Sequence, residues 1–208
     1  MKSFFQSIRP LFGGTLSQSQ VDGLNALLDA TEGQPRAIRA YLLATAFHET
    51  AGTMQPIHER GRRSYFDKYE PGTAIGKRLG NTHPGDGYLF RGRGYVQITG
   101  RFNYKKASQK LGVDFVESPS RALVPSLAGQ ILVRGCSEGW FTGKRLSEYI
   151  NDNRTDFRNA RRVVNGMDRA GLIAGHAKKF NAALMDSPKR KPPKTFRLLR
   201  WLRWMFGY

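Results

Sequence analysis

Apolar residues recur every three or four positions after Ser17, which is the spacing of one face of an α-helix. Gln20 follows Ser17 by three positions, the spacing of a capping box at a helix N-terminus. Gly33 and Pro35 predict the end of this helix. Its predicted inward face consists of Val21, Leu24, Leu27 and Leu28.

A second helix is predicted to begin at Pro35, because proline is favoured in the first turn, and to run to Gly52. This prediction places Glu49 in the last helical turn, at the edge of the core. The predicted inward positions are Ile38, Tyr41, Leu42, Thr45 and Ala46.

Residues 53–102 lack helical periodicity and are rich in Gly, Arg, His, Pro and Tyr. A long irregular segment inside a compact domain is commonly functional. Helical periodicity returns in residues 103–112, 126–141, 156–166 and 170–185. The chain is therefore predicted to be mainly α-helical, with a polar cleft built from loops.

The composition changes after Met185, which predicts a boundary. Residues 1–186 form the predicted domain, residues 187–194 a basic, proline-broken linker, and residues 195–208 a cationic tail. On a helical projection the tail separates apolar residues from arginines, as in a helix lying in an anionic membrane surface, although a helix docked on the domain is the alternative. The residues expected to contact the membrane are Arg197, Arg200, Trp201, Arg203 and Trp204.

The 208-residue length suffices for one domain with its own core, and the formal charge of +18 indicates a polyanionic partner. The single cysteine, Cys136, excludes an intramolecular disulfide framework and is expected to be a buried thiol in a protein made in a reducing compartment. No signal peptide is predicted, and no stretch reaches the roughly 20 apolar residues that a membrane span needs.

Two His-Glu pairs, His48-Glu49 and His58-Glu59, could serve either a metal ion or carboxylate chemistry. A zinc-protease helix needs a second histidine four positions after the first, where this chain has Gly52. The sequence therefore predicts no metal site and no cofactor.

The surroundings of the two glutamates favour opposite protonation states. Glu49 has apolar neighbours, and poor hydration would raise its pKa, as a general acid requires. Glu59 is flanked by His58 and several arginines, so it is expected to stay ionised as a base or charge stabiliser. Two such carboxylates can form a glycosidase site, whereas an ordinary solvated helix end is the alternative for Glu49.

The segment DGYLFRGRGYVQITGRFNY, residues 86–104, combines glycines, aromatic side chains and arginines with a Gln, a Thr and an Asn. Aromatic faces stack on sugar rings, arginines and amides bind hydroxyl and acetamido groups, and glycines let a ligand approach the backbone. A basic RNA-binding loop is the alternative reading of this composition.

FHETAG, YLFRGRGYVQITGRFNY and RRVVNG occur in this order and resemble glycoside hydrolase family 19, the chitinase-like family, in particular its phage endolysin branch. The resemblance covers roughly residues 37–185. It implies a lysozyme-like, mainly helical domain with a two-lobed cleft that hydrolyses the β-1,4 bonds of an aminosugar polymer, usually with inversion.

The resemblance also implies roles for individual residues. Glu49 matches the general acid, Thr99 the hydroxyl residue that positions the attacking water, and Gln97 its neighbour in the cleft. Asn165 matches a substrate-binding asparagine. Further residues of the central motif are expected to line the cleft: Tyr88, Arg91, Arg93 and Asn103.

Two assignments stay open. The general base is expected to be Glu59, but Asp67 and Glu70 are rivals. The resemblance implies a short spacing between acid and base, as in lysin relatives, whereas in plant chitinases the second glutamate lies considerably further along the chain. One arginine of the 156–166 segment is expected to orient the acid: Arg158, Arg161 or Arg162.

Together these observations predict a monomeric endolysin that cleaves peptidoglycan as an N-acetylmuramidase. It is expected to be made in the host cytoplasm, to act in the periplasm, and to contact anionic membrane or lipopolysaccharide through its tail, with no nucleic-acid partner. The alternatives are a chitinase with the same machinery and a non-enzymatic basic protein that binds membrane or RNA.

Overall fold

The computed structural model describes residues 3–185, which fold mainly into α-helices and confirm the predicted fold class. The predicted linker and tail, residues 187–208, lie outside the described residues. No helix within the described range is long and apolar enough to cross a membrane. The helices are α1 (Phe4–Ile8), α2 (Gln18–Ala30), α3 (Arg36–Glu49), α4 (Ala74–Arg78), α5 (Asp86–Leu89), α6 (Arg101–Leu111), α7 (Pro125–Glu138) and α8 (Ala170–Met185).

Short elements connect these helices. Strand β1 (Ile57–His58) pairs antiparallel with β2 (Arg93–Gly94), and β3 (Ile150–Asn151) pairs antiparallel with β4 (Arg154–Thr155). The 3-10 helices span Arg9–Phe12, Arg63–Tyr69, Pro119–Leu123, Leu146–Glu148 and Asn159–Val163.

The capping box predicted for α2 is present. The Ser17 hydroxyl accepts a hydrogen bond from the Gln20 amide at 3.2 Å, and the Ser17 amide donates to Gln20 Oε1 at 2.9 Å. The same arrangement of Ser3 and Gln6 begins α1, an element that the apolar pattern alone did not predict because the helix is so short.

Helix α3 runs through the core and determines where Glu49 lies. It packs most extensively on α8, and α2 packs on α7. All residues from Ala40 to Ala46 are buried, so the helix is covered on every side along this stretch. Glu49 is its last residue, which leaves the carboxyl group at the edge of the core as predicted.

The chain leaves α3 through a tight turn that returns it to the core. Ala51, Gly52 and Met54 have positive φ angles, and Met54 is fully buried. A Cβ atom at Gly23 of α2 would lie 1.9 Å from the Met54 carbonyl oxygen, so only glycine permits this contact. The turn thereby fixes the start of β1 and the position of Glu59. Elsewhere in the core, Cys136 is the buried thiol that its sequence context predicted.

Candidate active site

Glu49 is bound by a buried arginine. Its Oε1 atom accepts a hydrogen bond from Arg161 Nη1 at 2.5 Å, and the Arg161 side chain is 3% exposed while that of Glu49 is 22% exposed. Arg161 Nε also donates to the Asp168 carbonyl at 3.2 Å, which fixes the guanidinium plane. Of the three arginines left open above, only Arg161 forms an ion pair with the glutamate, whereas Arg158 and Arg162 are exposed.

This pairing corrects the expected surroundings of Glu49. The side chain is neither a freely solvated helix-end residue nor a carboxyl group in purely apolar surroundings. Burial raises the pKa of the nearby Tyr41 hydroxyl, so this phenol stays neutral near the ion pair. One oxygen of Glu49 is thus held by a fixed donor, and Oε2 is the oxygen left for chemistry.

Glu59 follows β1 and is held at both carboxylate oxygens. Tyr69 donates its hydroxyl to Oε1 at 3.0 Å, and the Gly92 amide donates to Oε2 at 3.3 Å. Burial and the hydrogen bond to Glu59 raise the pKa of Tyr69, which keeps the phenol protonated as a donor. The Glu59 amide also donates to the Gly92 carbonyl at 2.8 Å, so backbone and side chain are both tied to the same glycine.

Three side-chain oxygens converge beside Gly92. A Cβ atom placed on this glycine would lie 2.9 Å from Gln97 Oε1, 3.3 Å from Glu59 Oε2 and 3.3 Å from Thr99 Oγ1. That position lies only one bond length from the Gly92 Cα atom, so a water molecule bound to these oxygens would sit farther out, in front of the glycine. The absence of a side chain at Gly92 therefore keeps the space between the three oxygens free of a side chain.

The surrounding hydrogen bonds leave all three oxygens able to accept. Gln97 Nε2 donates to the carbonyls of Ile57 and Gly94, at 2.8 Å and 2.9 Å, which turns Oε1 towards Gly92. The Thr99 hydroxyl donates to the Gln97 carbonyl at 2.9 Å, so its lone pairs remain free. A water molecule in front of Gly92 would donate its hydrogens to these oxygens and direct a lone pair outward.

The rival bases have other positions. Glu70 accepts hydrogen bonds from the amides of Gly85 and Gly87, at 2.8 Å and 3.1 Å, and so holds the start of α5. Asp67 is exposed on the 3-10 helix and makes no side-chain hydrogen bond to the group around Gly92. Within residues 3–185, no group of three His, Cys, Asp or Glu side chains is arranged to hold a metal ion.

Tyr88 and Arg91 form a partly exposed aromatic and cationic surface. The Arg91 guanidinium carbon lies 4.1 Å from the centre of the Tyr88 ring and that of Arg63 lies 5.1 Å from it. Both predicted residues are half-buried and remain accessible to a ligand. Arg63 is an addition that the sequence motifs did not single out.

Helix α5, which carries Tyr88, is anchored by a buried ion pair. Asp86 is 2% exposed and accepts hydrogen bonds from Arg101 at 2.6 Å and 2.8 Å. Burial alone would raise the pKa of Asp86, but hydrogen bonds from Arg101 and the amides of His83 and Thr82 outweigh it and lower the pKa to about 2. The ionised Asp86 carboxylate therefore stabilises the position of α5.

Arg93 does not occupy the position that its motif predicted. Its side chain is buried, at 6% exposure, and its guanidinium donates to the Leu89 carbonyl and the Tyr104 hydroxyl, each at 2.8 Å. A group held in the interior in this way cannot reach a polymer in the cleft. The predicted substrate contact is therefore replaced by a structural role, which is to hold the loop before β2 against α6.

The two predicted asparagines differ in position. Asn103 donates to the Thr99 carbonyl at 2.8 Å, which supports the turn that carries the threonine. Asn165 is exposed and its amide donates to the Arg161 carbonyl at 3.1 Å, so it lies one turn beyond the arginine that binds Glu49. Asn103 thus supports the group of residues around Glu59, and Asn165 lies next to the arginine that binds Glu49.

Two functional candidates had no usable sequence signal. Tyr69 reaches Glu59 from ten positions along the chain, a contact that depends on the path of the 63–69 helix. Gly92 lies within the quoted central motif, but its importance comes from the side-chain oxygens around it. Spacing alone could identify neither of them.

No protein-family model and no curated protein matches the chain. Several solved structures are similar to it in fold. Chitinase C from Streptomyces griseus HUT6037 superposes with a TM-score of 0.61 at 18% identity, over 92% of this chain and 81% of that one. A chitinase C mutant gives 0.55 at 17% identity, over 92% and 98% of the two chains. A bacterial family 19 chitinase gives 0.52 at 19% identity, over 89% and 96%. The chain therefore has the family 19 chitinase-like fold.

Proposed function

Given this fold and site, we propose that the chain hydrolyses β-1,4 glycosidic bonds of bacterial peptidoglycan by general acid and base catalysis. The observation that carries the proposal is the clustering of Glu59 Oε2, Thr99 Oγ1 and Gln97 Oε1 around the space in front of Gly92. Such a set of acceptors suits an attacking water molecule, and a second carboxyl group, Glu49, ends the helix just before β1.

In this mechanism Glu49 protonates the leaving oxygen. Arg161 occupies Oε1, so the transferred proton is carried on Oε2. The arginine is a positioning residue, because its contacts with Glu49 and the Asp168 carbonyl fix the direction of the carboxyl group. A fixed direction matters because a general acid must lie within hydrogen-bond reach of the oxygen that it protonates.

Glu59 acts as the general base through Oε2. The water donates one hydrogen to this oxygen and the other to Thr99 or Gln97, and its lone pair attacks the anomeric carbon. As the carbon–oxygen bond to the leaving sugar breaks, Glu49 supplies the proton and Glu59 takes one from the water. Both carboxyl groups must then exchange protons with solvent before the next cycle.

The charge of the chain favours peptidoglycan over chitin as the polymer. Peptidoglycan carries carboxylates on its peptide stems, whereas chitin is a neutral polymer. A formal charge of +18 attracts an anionic polymer and offers no such advantage for a neutral one. Chitinase activity is the second candidate, because the structural relatives described above are chitinases.

The proposal is tested by Glu49→Gln and Glu59→Gln on purified peptidoglycan and on chitin oligomers, with release of new reducing ends as the assay. Each substitution is expected to reduce turnover by roughly 10² to 10⁴-fold, the usual contribution of a general acid or base. Glu117→Gln, at an exposed glutamate outside the site, is the matched control. Wild-type-like turnover by either site variant would contradict the assignment, and faster cleavage of chitin would favour the second candidate.

We further propose that residues 195–208 bring the enzyme to the Gram-negative envelope. The support is the pattern of arginines and tryptophans in the sequence. Deleting residues 188–208 should leave hydrolysis of purified peptidoglycan nearly unchanged and reduce killing of whole cells. Equal killing by the truncated chain would refute this role, and undiminished killing by Glu49→Gln would favour a non-enzymatic membrane activity.

A further inference from the structure

Three exposed arginines directly follow the proposed base along the chain. Arg60, Arg62 and Arg63 are all exposed, and the residue between the first two is Gly61. We propose that these residues, here called the arginine rim, bind the carboxylates of peptidoglycan stem peptides and select stem-bearing strands over neutral ones. This inference rests on the proposed function, because it concerns substrate recognition at the same site.

The local structure fixes the rim next to the site. The Glu59 amide donates to the Gly92 carbonyl at 2.8 Å, which anchors the start of the rim. Gly61 lies against the Tyr65 ring, where a Cβ atom would come within 2.9 Å of the ring, and the Tyr65 amide donates to the Arg62 carbonyl at 2.9 Å. The rim is therefore backed by the 3-10 helix that also carries Tyr69.

The charges of the rim are not neutralised by the protein. Within residues 3–185, none of the three arginines takes part in an ion pair, whereas Arg101, Arg134, Arg154 and Arg161 each pair with a carboxylate. Arg63 also lies over the Tyr88 ring, which joins the rim to the aromatic surface of the site. Glu59 and Asp67 are the acidic residues nearest to it along the chain, so the stretch 59–69 keeps a positive balance.

The chemistry of the rim matches a carboxylate ligand. Guanidinium groups bind carboxylates through paired hydrogen bonds, and exposed pairs of this kind are weakened by salt. A stem peptide extends from the muramic acid residue beside the bond to be cleaved. Arginines that follow the base by one to four positions are thus placed to contact a stem while the glycan occupies the cleft.

The experiment measures binding in the Glu49→Gln background, so that strands are not cut. Solubilised glycan strands with stems, the same strands stripped by an amidase, and chitin oligomers are compared for the triple variant Arg60→Gln/Arg62→Gln/Arg63→Gln. The expected result is about a tenfold loss of affinity for stem-bearing strands at low salt, from the combined effect of three exposed pairs, and less than about a twofold change for chitin oligomers. Stripped strands keep one lactyl carboxylate on each muramic acid, so their loss should be clearly smaller than that of strands with stems.

The control variant Lys105→Gln/Lys144→Gln/Lys178→Gln removes the same charge from exposed positions on other parts of the described fold. An equal loss for stripped strands, or an equal loss in the control, would overturn the proposal. Lipopolysaccharide vesicles are measured alongside, and a loss confined to them would also overturn the proposal and make the rim an envelope contact. Binding is measured without turnover, so the two proposals can fail separately. If the wild-type enzyme proved inactive, the proposed hydrolysis would be refuted, but the binding comparison would still test the arginine rim.

Discussion

Gly92→Ala places a methyl group between the proposed attacking water and the glycine backbone, among the oxygens that would hold this water. The new carbon would lie 3.3 Å from Glu59 Oε2, 3.3 Å from Thr99 Oγ1 and 2.9 Å from Gln97 Oε1. A methyl group there crowds the three oxygens and obstructs a water molecule that binds them together. The φ angle of Gly92 is not in the left-handed region, so the backbone accepts alanine without strain.

The structure separates the expected effects on turnover and on stability. Gln97 Oε1 is the only one of the three oxygens within 3.0 Å of the new methyl group, and its amide must shift by a few tenths of an ångström. A small shift of this kind costs about 1 kcal/mol of folding free energy. Loss of the positioned water should remove most general-base catalysis and lower kcat by about 10²-fold or more.

The assay is release of reducing ends from purified peptidoglycan, together with urea unfolding of both proteins. Sugar binding does not depend on the water, so KM should stay within about threefold of the wild-type value. Gly72→Ala is the matched control, because a Cβ atom there would meet no atom within 4 Å. A folded Gly92→Ala variant with kcat within twofold of wild type would refute the assigned position of the water.

Three further predictions concern the residues around the carboxylates. Tyr69→Phe removes one of the donors that fix the Glu59 carboxylate, so kcat should fall about tenfold while KM stays nearly unchanged; an unchanged kcat would count against the positioning role. Arg161→Met should lower kcat by about tenfold or more and the unfolding free energy by about 2 kcal/mol, because the Glu49 carboxyl group loses its fixed partner. Arg161→Lys should give values of kcat and of unfolding free energy between those of the wild type and of Arg161→Met. The pKa of Asp86 is about 2 in the folded protein, below its unfolded value. Its ionisation therefore adds about 2 kcal/mol to the unfolding free energy above pH 4, and this stabilisation is lost as the pH falls through 2. In urea titrations, Asp86→Asn should abolish this pH dependence of the unfolding free energy.

The sequence was sufficient for the helices because their signals are local. The Ser17 capping box and the apolar spacing of α2 and α3 depend on residues within a few positions of one another, and both helices form as predicted. α1 was not predicted although it has a capping box, because five residues give no periodicity. The short elements between residues 53 and 102 were treated as irregular for the same reason.

The site was less predictable because its contacts join distant parts of the chain. Arg161 could not be separated from its neighbours by sequence, since only the folded chain shows which arginine is buried against Glu49. Arg93 illustrates the opposite error. An arginine in a glycine-rich motif suggests a ligand contact, but its guanidinium is held by Leu89 and Tyr104 in the interior.

The most direct test of the account identifies the chemistry of the cut end. Purified peptidoglycan is digested in water labelled with heavy oxygen, and new ends are analysed by mass spectrometry and by NMR at early times. Attack by a water activated at Glu59 predicts one heavy-oxygen atom in every new reducing end, formed first as the α anomer. Unlabelled ends closed by an internal sugar oxygen would contradict hydrolysis by a positioned water molecule.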